Sequence, residues 1–226
     1  MNELRHVAFI MDGNSSWAIA NNRQMMEGYL AGMRKVSEVV SDAIDFGIEY
    51  LTFYVFSSEN WRRSEKWVSD FMSLSTRFLK TDESIAKIIE AGAKLKVIGN
   101  RTKLNSELRE IISDFENRTK NNDRIIIQLG ISYGGRDEII RAAKKMVEKR
   151  IEFTEENLSN NLDTAFVPDP ELIVRTSGKQ RLSNFLLWQA SYSEFYFSSL
   201  LWPDFSKVEF QKAIDELRRR KRTYGK

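Results

Sequence analysis

The sequence has 226 residues, enough for one domain, and 42% of them are hydrophobic and 30% charged, as in an ordinary globular protein. It contains no cysteine and one histidine, His6, which excludes disulfides, cysteine zinc sites, histidine metal clusters and any Ser-His-Asp triad without His6. The net charge of +3 is small, and no apolar segment is long enough for a signal peptide or a membrane span, so a cytoplasmic protein is expected.

Six short apolar segments are predicted to form β-strands. They are rich in Val, Ile, Phe and Tyr and lack the alternation of apolar and polar residues that marks a half-exposed strand. Continuous apolar runs of this kind are typical of strands that are covered on both faces. The segments are residues 6–11, 50–56, 94–98, 124–129, 172–176 and 194–197.

Helical patterns separate the predicted strands. Residues 31–46 place an apolar stripe on one face of a helix that ends before Gly47. Further helices are predicted over residues 67–91, with a break near Thr81, and over residues 105–119, 137–149 and 208–222; a short one follows a cap at Thr154. Because strands and helices alternate and no linker interrupts them, residues 1–226 are expected to form a single α/β domain with a largely parallel sheet.

The first predicted strand leads into residues 12–17, DGNSSW. Gly13 allows a sharp turn, and Asn14 or Ser15 is expected to cap a following helix. Amides at that helix start could bind an anion, and Asp12 could hold a Mg²⁺ ion bridging to phosphate. Asp-Gly-Asn is also a common turn, so a purely structural role stays open. Since Asp12 lies at a strand end, its replacement is expected to abolish activity and leave the fold intact.

The second predicted strand ends in residues 57–63, SSENWRR. Polar groups beside an aromatic ring and two guanidinium groups suit an amphipathic ligand. A capped surface loop explains the same residues, and this second interpretation is slightly favoured by the segment alone.

The fifth predicted strand leads into residues 175–184, RTSGKQRLSN, in which Arg175 and Arg181 bracket a glycine turn. Guanidinium and hydroxyl groups are the donors that diphosphate oxygens require. An arginine on an apolar strand is also costly to bury without a fixed anionic partner. This cluster therefore predicts a phosphate ligand, although it is not a P-loop. Glu194 follows nearby and is a candidate second carboxylate for a metal.

Five consecutive basic residues, 218–222, lie near the C-terminus. The favoured interpretation is a solvated last helical turn, in which cations complement the helix dipole. A patch for nucleic acid or acidic lipid is the alternative. No nucleic-acid-binding motif accompanies the run, so no nucleic-acid partner is expected.

Four segments together resemble the undecaprenyl diphosphate synthase family of cis-prenyltransferases. They read HVAFIMDGN, GIEYLTFYVFSSENW, ISYGGRDEI and PDPELIVRTSGKQRLSNFLLWQASYSEFYFSSLLWPDF, and they span nearly the whole chain. The resemblance implies a single α/β domain with a central, mostly parallel six-stranded sheet, an apolar tunnel between sheet and helices, and a homodimer. It also implies a Mg²⁺-dependent transferase that adds isopentenyl diphosphate to an allylic diphosphate, typically farnesyl diphosphate, with cis double bonds. The polyprenyl diphosphate product would be a lipid carrier for cell-wall synthesis and could touch the membrane surface.

The resemblance also implies roles for individual residues. Asp12 would bind Mg²⁺ and help the allylic diphosphate to leave, Asn60 would assist proton removal, and Glu194 would be a Mg²⁺ ligand on the neighbouring subunit's side of the dimer. Substrate contacts are implied for Gly13, Asn14, Ser15, Ser16, Trp17, Ser57, Ser58, Glu59, Trp61, Arg63, Arg175, Arg181, Leu182 and Ser183.

The chain departs from the family pattern on the allylic side. Ser16, Met25 and Tyr29 stand where the family usually has Arg, Arg and His, and Ser64 and Trp67 stand where it usually has Pro and Glu. The isopentenyl diphosphate side keeps its full set. Two alternatives to an active polyprenyl synthase therefore stay open: a family member with a changed allylic substrate, and a catalytically weak, diphosphate-binding partner subunit.

Overall fold

The fold is known from a computed structural model that describes residues 4–220. Six strands form one sheet: β1 (His6–Ile10), β2 (Tyr50–Ser57), β3 (Ala93–Ile98), β4 (Ile125–Tyr133), β5 (Leu172–Arg175) and β6 (Glu194–Phe197). Their order is β3-β4-β2-β1-β5-β6, and all neighbouring pairs are parallel. The predicted α/β domain with a parallel six-stranded sheet is confirmed.

Eight α-helices accompany the sheet within the described residues. They are α1 (Asn14–Ala20), α2 (Met25–Asp45), α3 (Glu65–Thr81), α4 (Glu83–Glu90), α5 (Ser106–Arg118), α6 (Gly135–Glu148), α7 (Glu155–Ser159) and α8 (Lys207–Arg219). No helix within residues 4–220 is long and apolar enough to cross a membrane.

The predicted break near Thr81 is confirmed. Asp82 has an extended backbone and accepts a hydrogen bond from the Ser84 N–H at 3.0 Å, which ends α3 and caps α4. The predicted cap at Thr154 is also present, since its hydroxyl accepts from the Asn157 N–H.

Three predicted boundaries differ from the structure by three residues or more. Helix α2 starts six residues before the predicted residue 31, because a capping box between Gln24 and Glu27 starts it at Met25. Strand β4 continues four residues past residue 129, because its pairing with β2 continues to Tyr133. Helix α8 ends at Arg219, since Arg220 has an extended backbone; the remaining predicted helical residues, 221 and 222, lie outside the described residues.

The chain crosses from one side of β1 to the other, and this crossover creates a crevice. Ile10, the last residue of β1, pairs with Tyr54 of β2 on one side and with Arg175 of β5 on the other. At such a point the connections that follow two neighbouring strands run in opposite directions. A crevice therefore opens beyond the carboxyl ends of the strands, where α/β proteins bind ligands. Asp12 and the loop after Arg175 therefore meet there.

Candidate active site

A polar cavity of about 400 Å³ lies beyond the C-terminal ends of β1, β2 and β5. Eleven of the residues predicted to contact substrate or metal line it: Asp12, Gly13, Asn14, Ser15, Ser16, Ser57, Asn60, Arg63, Arg175, Arg181 and Ser183. The three strand ends identified in the sequence thus converge on one site.

The centre of the cavity is an ion pair between Arg175 and Asp12. Arg175 donates from Nε at 3.0 Å and from Nη2 at 2.6 Å, both to Asp12 Oδ2. Its Nη1 donates to Ser183 Oγ at 2.9 Å and to the Arg181 carbonyl. The side chain of Arg175 is 3% exposed and that of Asp12 is 31% exposed. The buried arginine therefore has the fixed anionic partner that its position on an apolar strand required.

Backbone contacts hold Asp12 at the cavity. Its carbonyl accepts from the Thr176 hydroxyl at 2.6 Å and from the Trp202 N–H at 3.0 Å. Gly13 follows with φ +111°, and a Cβ there would lie 2.9 Å from the Leu201 Cα, so the turn needs glycine for both conformation and space.

The predicted cap of α1 is wrong. Gly13 is the N-cap residue, and no side chain caps the helix. Asn14 is already helical, and its Nδ2 donates back to the Met11 carbonyl at 3.1 Å. Asn14 Oδ1 is buried and has no hydrogen-bond partner within residues 4–220.

The segment after β2 is both a capped loop and part of the cavity wall. Ser57 and Asn60 form a capping box at the start of a 3₁₀ helix, Ser58–Arg62, in which Asn60 Oδ1 accepts from the Ser57 N–H at 2.9 Å. The two interpretations of this segment are therefore compatible, because the cap places Asn60 in the wall.

Other predicted residues lie outside the cavity lining and hold its walls together. Ser58 and Asn184 donate to Glu59 at 3.1 and 2.8 Å, which joins the segments that follow β2 and β5. Burial raises the pKa of the Glu59 carboxyl, but hydrogen bonds from Asn184 and from its own segment outweigh it, so the net pKa is lowered. The Trp61 indole donates to Ser132 Oγ at 2.9 Å.

Trp17 and Leu182 also lie outside the lining. The Trp17 indole donates to Asp204 Oδ1 at 2.7 Å. Leu182 packs against the apolar cluster that contains Phe185. The substrate contacts implied for these residues and for the Glu59 segment stay predictions.

The predicted site leaves out eight residues of the polar-cavity lining: Ile10, Met11, Tyr29, Tyr54, Val55, Trp67, Phe71 and Lys179. The Tyr54 hydroxyl, on β2, lies 3.3 Å from the carbonyl oxygens of Tyr133 and Ser183 and can donate to either. Burial raises the pKa of this phenol. Lys179 lies in the glycine turn between the two arginines, and no role was predicted for it. Trp67 was noted only as a departure, although it lines the same cavity.

Positively charged side chains outnumber negatively charged ones in the lining of the polar cavity. Its lining carries the cations Arg63, Arg175, Lys179 and Arg181, against the single carboxylate of Asp12. Because Arg175 is already paired with Asp12, the other three cations make the cavity suitable for a multiply charged anion.

An apolar cavity of about 100 Å³ adjoins the polar one. It lies between the sheet and helices α2, α3 and α4, where the tunnel was expected, and is also lined by Leu108 and Ile131. Both cavities are lined by Met11, Asn14, Tyr29, Val55 and Phe71. A ligand with an anionic head and an apolar tail could therefore occupy both.

Glu194 is not brought to the cavity in a single chain. It opens β6 and pairs with Leu172 at the start of β5, three residues before Arg175. Its Oε2 accepts from Arg220 Nη1 at 2.7 Å. Within residues 4–220, no three acidic or histidine side chains form a group that could hold a metal. A single carboxylate still fits Mg²⁺, which usually keeps several waters and takes one or two protein carboxylates together with substrate phosphates.

Known proteins resemble this chain over nearly its full length. A family model described as putative undecaprenyl diphosphate synthase matches residues 10–225. The isoprenyl transferase of Aquifex pyrophilus is 42% identical over 222 residues, 98% of this chain and 95% of that protein. The isoprenyl transferase of Campylobacter jejuni strain RM1221 is 42% identical over 226 residues, the whole of both chains.

Two solved structures share the fold. Lavandulyl diphosphate synthase from Lavandula x intermedia, in complex with dimethylallyl diphosphate, has a TM-score of 0.92 at 32% identity and covers 98% of each chain. A probable undecaprenyl diphosphate synthase from Campylobacter jejuni has a TM-score of 0.85 at 41% identity and covers 100% of each chain.

Proposed function

The chain belongs to the undecaprenyl diphosphate synthase family and is a prenyltransferase of cis-prenyl chain elongation; we propose that it acts with Mg²⁺ on isopentenyl diphosphate and farnesyl diphosphate. The product would be a polyprenyl diphosphate that serves as a lipid carrier in cell-wall synthesis. The proposal includes a cytoplasmic location, with the product free to reach the membrane surface.

The observation that carries the proposal is the junction of the two cavities. Three cations without a carboxylate partner among residues 4–220, Arg63, Lys179 and Arg181, lie in a polar cavity that shares walls with an apolar one. Guanidinium groups bind diphosphate oxygens, and an apolar surround protects a developing carbocation from water. A prenyl diphosphate has the matching head and tail.

The reaction breaks the allylic C–O bond, and the diphosphate leaves with the electron pair. The double bond of isopentenyl diphosphate then forms the new C–C bond to the allylic carbon, and the isopentenyl unit loses a proton. An amide is not a base, and Asn60 Oδ1 already accepts from the Ser57 N–H. Asn60 would therefore orient groups through Nδ2, and the proton would pass to a diphosphate oxygen or to water.

Mg²⁺ would neutralise charge on the leaving diphosphate, and Asp12 is the residue that would hold it. The two hydrogen bonds that Arg175 donates to Asp12 both end on Oδ2. Arg175 thus fixes the Asp12 carboxylate at the strand end, and it does so through only one of the two carboxylate oxygens.

A homodimer is also proposed. Ile140 and Val147 of α6 and Phe153 in the following loop are more than half exposed, and Phe197 of the edge strand β6 is 37% exposed. Exposed apolar side chains are commonly covered by another chain, and β6, at the end of the strand order, offers an edge with which another strand can pair. Glu194 lies on β6, so a dimer through this edge could carry it towards the partner's site.

The small apolar cavity favours a second candidate, a family member with a short allylic substrate and a short product. A cavity of about 150 Å³ holds a molecule the size of benzene, whereas the cavity here is about 100 Å³. A long tail would require α2 and α3 to move apart. The fold's likeness to a lavandulyl diphosphate synthase in complex with dimethylallyl diphosphate points the same way.

Product sizing separates the two candidates. The protein is incubated with labelled isopentenyl diphosphate, Mg²⁺ and dimethylallyl, geranyl or farnesyl diphosphate. Long products from farnesyl diphosphate support the first candidate, and products of one or two additions to dimethylallyl diphosphate support the second. If no acceptor takes up label, both are wrong.

The diphosphate pocket is tested by Arg181→Ala. Loss of a charge-assisted contact of about 1.5–3 kcal/mol should raise KM for isopentenyl diphosphate about 10- to 150-fold. Arg109→Ala, which removes an exposed guanidinium from α5, is the control and should leave KM unchanged. An unchanged KM in Arg181→Ala would remove isopentenyl diphosphate from this loop.

A further inference from the structure

Two of the residues that depart from the family pattern, Tyr29 and Trp67, contact the same arginine. Arg63 Nη1 donates to the Tyr29 hydroxyl at 3.2 Å, and the Arg63 guanidinium carbon lies 4.1 Å from the centroid of the Trp67 ring. Tyr29 comes from α2 and Trp67 from α3, so the contacts join two helices to the loop that carries Arg63.

Arg63 is otherwise available for an anion. Its side chain is exposed, it lines the polar cavity, and it forms no ion pair with a carboxylate among the residues from 4 to 220. A phenol oxygen and an aromatic face hold a guanidinium without neutralising its charge. A carboxylate at either position would cancel that charge.

Ring packing fixes the two aromatic residues. Trp67 stacks on Phe71 with centroids 5.3 Å apart, and Tyr29 packs edge-on against Trp67 at 5.6 Å and Phe71 at 5.4 Å. The Trp67 indole N–H is buried and has no hydrogen-bond partner in the described chain. Trp67 is therefore placed by its ring, as a platform for the guanidinium would be.

We propose that Tyr29 and Trp67 are positioning residues that hold Arg63 over the diphosphate cavity and so offset the cationic or hydrogen-bond-donating groups missing at positions 16, 25 and 29. This inference rests on the proposed function, because it assigns Arg63 to the allylic diphosphate. It gives the departures at Tyr29 and Trp67 one common purpose, because their contacts fix in place an arginine that matches the family pattern.

The test is a double-mutant cycle read by calorimetry. Binding of geranyl S-thiolodiphosphate, which resists loss of diphosphate, is measured for wild type, Tyr29→Phe, Arg63→Ala and the double variant. Tyr29→Phe removes only the hydroxyl, which accepts from Arg63 Nη1 and from Ser15 Oγ, both at 3.2 Å. Loss of the hydrogen bond from Arg63 should raise Kd about fivefold. In the Arg63→Ala background the same change should alter Kd less than twofold, because the two residues then no longer interact.

A direct contact between Tyr29 and the substrate would give a different result. The Tyr29→Phe effect would then be the same with and without Arg63, and the positioning role would be wrong. An unchanged Kd in the single variant would also overturn it. Trp67→Phe should raise Kd as well, since phenylalanine is a weaker partner for a cation than tryptophan; no change there would remove Trp67 from the proposal.

Tyr50→Phe is a matched control. Tyr50 also contacts an arginine through its hydroxyl and its ring. Arg5 Nη2 donates to the Tyr50 hydroxyl at 3.3 Å, and the Arg5 guanidinium carbon lies 5.4 Å from the centroid of the Tyr50 ring. It starts β2, at the opposite end of the sheet from the cavity. Kd should therefore not change, and urea midpoints of all variants show whether folding is affected.

The inference and the proposed function fail in different ways. If wild type elongates an allylic diphosphate but Tyr29 and Arg63 act additively, only the positioning role is wrong. If wild type binds no thiolodiphosphate and forms no product, the proposed function is wrong and the inference falls with it.

Discussion

Replacing Asp12 should affect folding as well as activity. Its position at a strand end predicted an intact fold, but the structure gives a different expectation. Arg175 is 3% exposed and donates two hydrogen bonds to Asp12 Oδ2. Asp12→Ala would leave this buried guanidinium without its carboxylate.

The expected cost follows from the geometry. Removing one partner of a buried ion pair costs about 3–5 kcal/mol. Asp12 is 31% exposed, so water can partly replace it, and Arg175 keeps the Ser183 hydroxyl and the Arg181 carbonyl. We therefore expect a loss of about 2–3 kcal/mol in the free energy of unfolding, and a fall of roughly 5–10 °C in Tm for a chain of this length.

Urea denaturation and product formation are measured on the same variants. Asp12→Asn keeps an acceptor for Arg175 and should lose less stability than Asp12→Ala, while both lose activity. The double variant Asp12→Ala with Arg175→Met removes the unpaired charge and should recover part of the lost stability. If Asp12→Ala unfolds within about 0.5 kcal/mol of wild type, the ion pair does not stabilise the fold.

Two further predictions concern stability away from the charged groups. Burial lowers the pKa of His6 to about 4 from an ordinary 6.5, so the unfolded chain takes up a proton before the folded one does. The free energy of unfolding should therefore fall by about 3 kcal/mol as the pH drops from about 6.5 to about 4. In urea titrations at several pH values, His6→Gln should show a smaller dependence of this free energy on pH. The same dependence in the variant and in wild type would exclude His6 as its source. Gly32→Ala would place a Cβ 2.1 Å from Asn14 Oδ1 and 2.9 Å from Trp202 Cδ1, so overpacking should cost about 1–3 kcal/mol. Ser41→Ala, on the exposed side of the same helix, should be neutral, and equal urea midpoints for the two variants would contradict the close packing of α1 on α2.

The sequence predicted the central strands well because β1 and β5 are buried along their whole length and β4 along most of it. A strand of this kind appears as a continuous apolar run whatever its neighbours are, and all six runs form strands. The start of α2 was missed because Gly28 breaks the apolar pattern of its first turns. Gly28 and Gly32 are explained by close packing on Asn14, a contact between elements that no single segment reveals.

The candidate site was predicted as three separate strand ends. A parallel α/β sheet collects such ends at one edge, and Asp12, Arg175, Arg181 and Ser183 do line one cavity. Glu194 does not line it, because the pairing of β5 with β6 places Glu194 beside Leu172, three residues before Arg175. Its implied metal role from the neighbouring subunit stays a prediction.

The sequence by itself determined the class of the sheet, the residue types at its carboxyl edge and the departures at Ser16, Met25, Tyr29 and Trp67, since these depend on local patterns along the chain. Tertiary structure alone decided which charged groups pair. Asp12 and Arg175 are 163 residues apart and meet only because β1 and β5 are neighbours in the sheet. Arg63 reaches Tyr29, 34 residues away in the chain, only because α2 and α3 pack side by side. Hydrogen bonds and ion pairs need contact within a few ångströms, and distance along the chain does not set that contact.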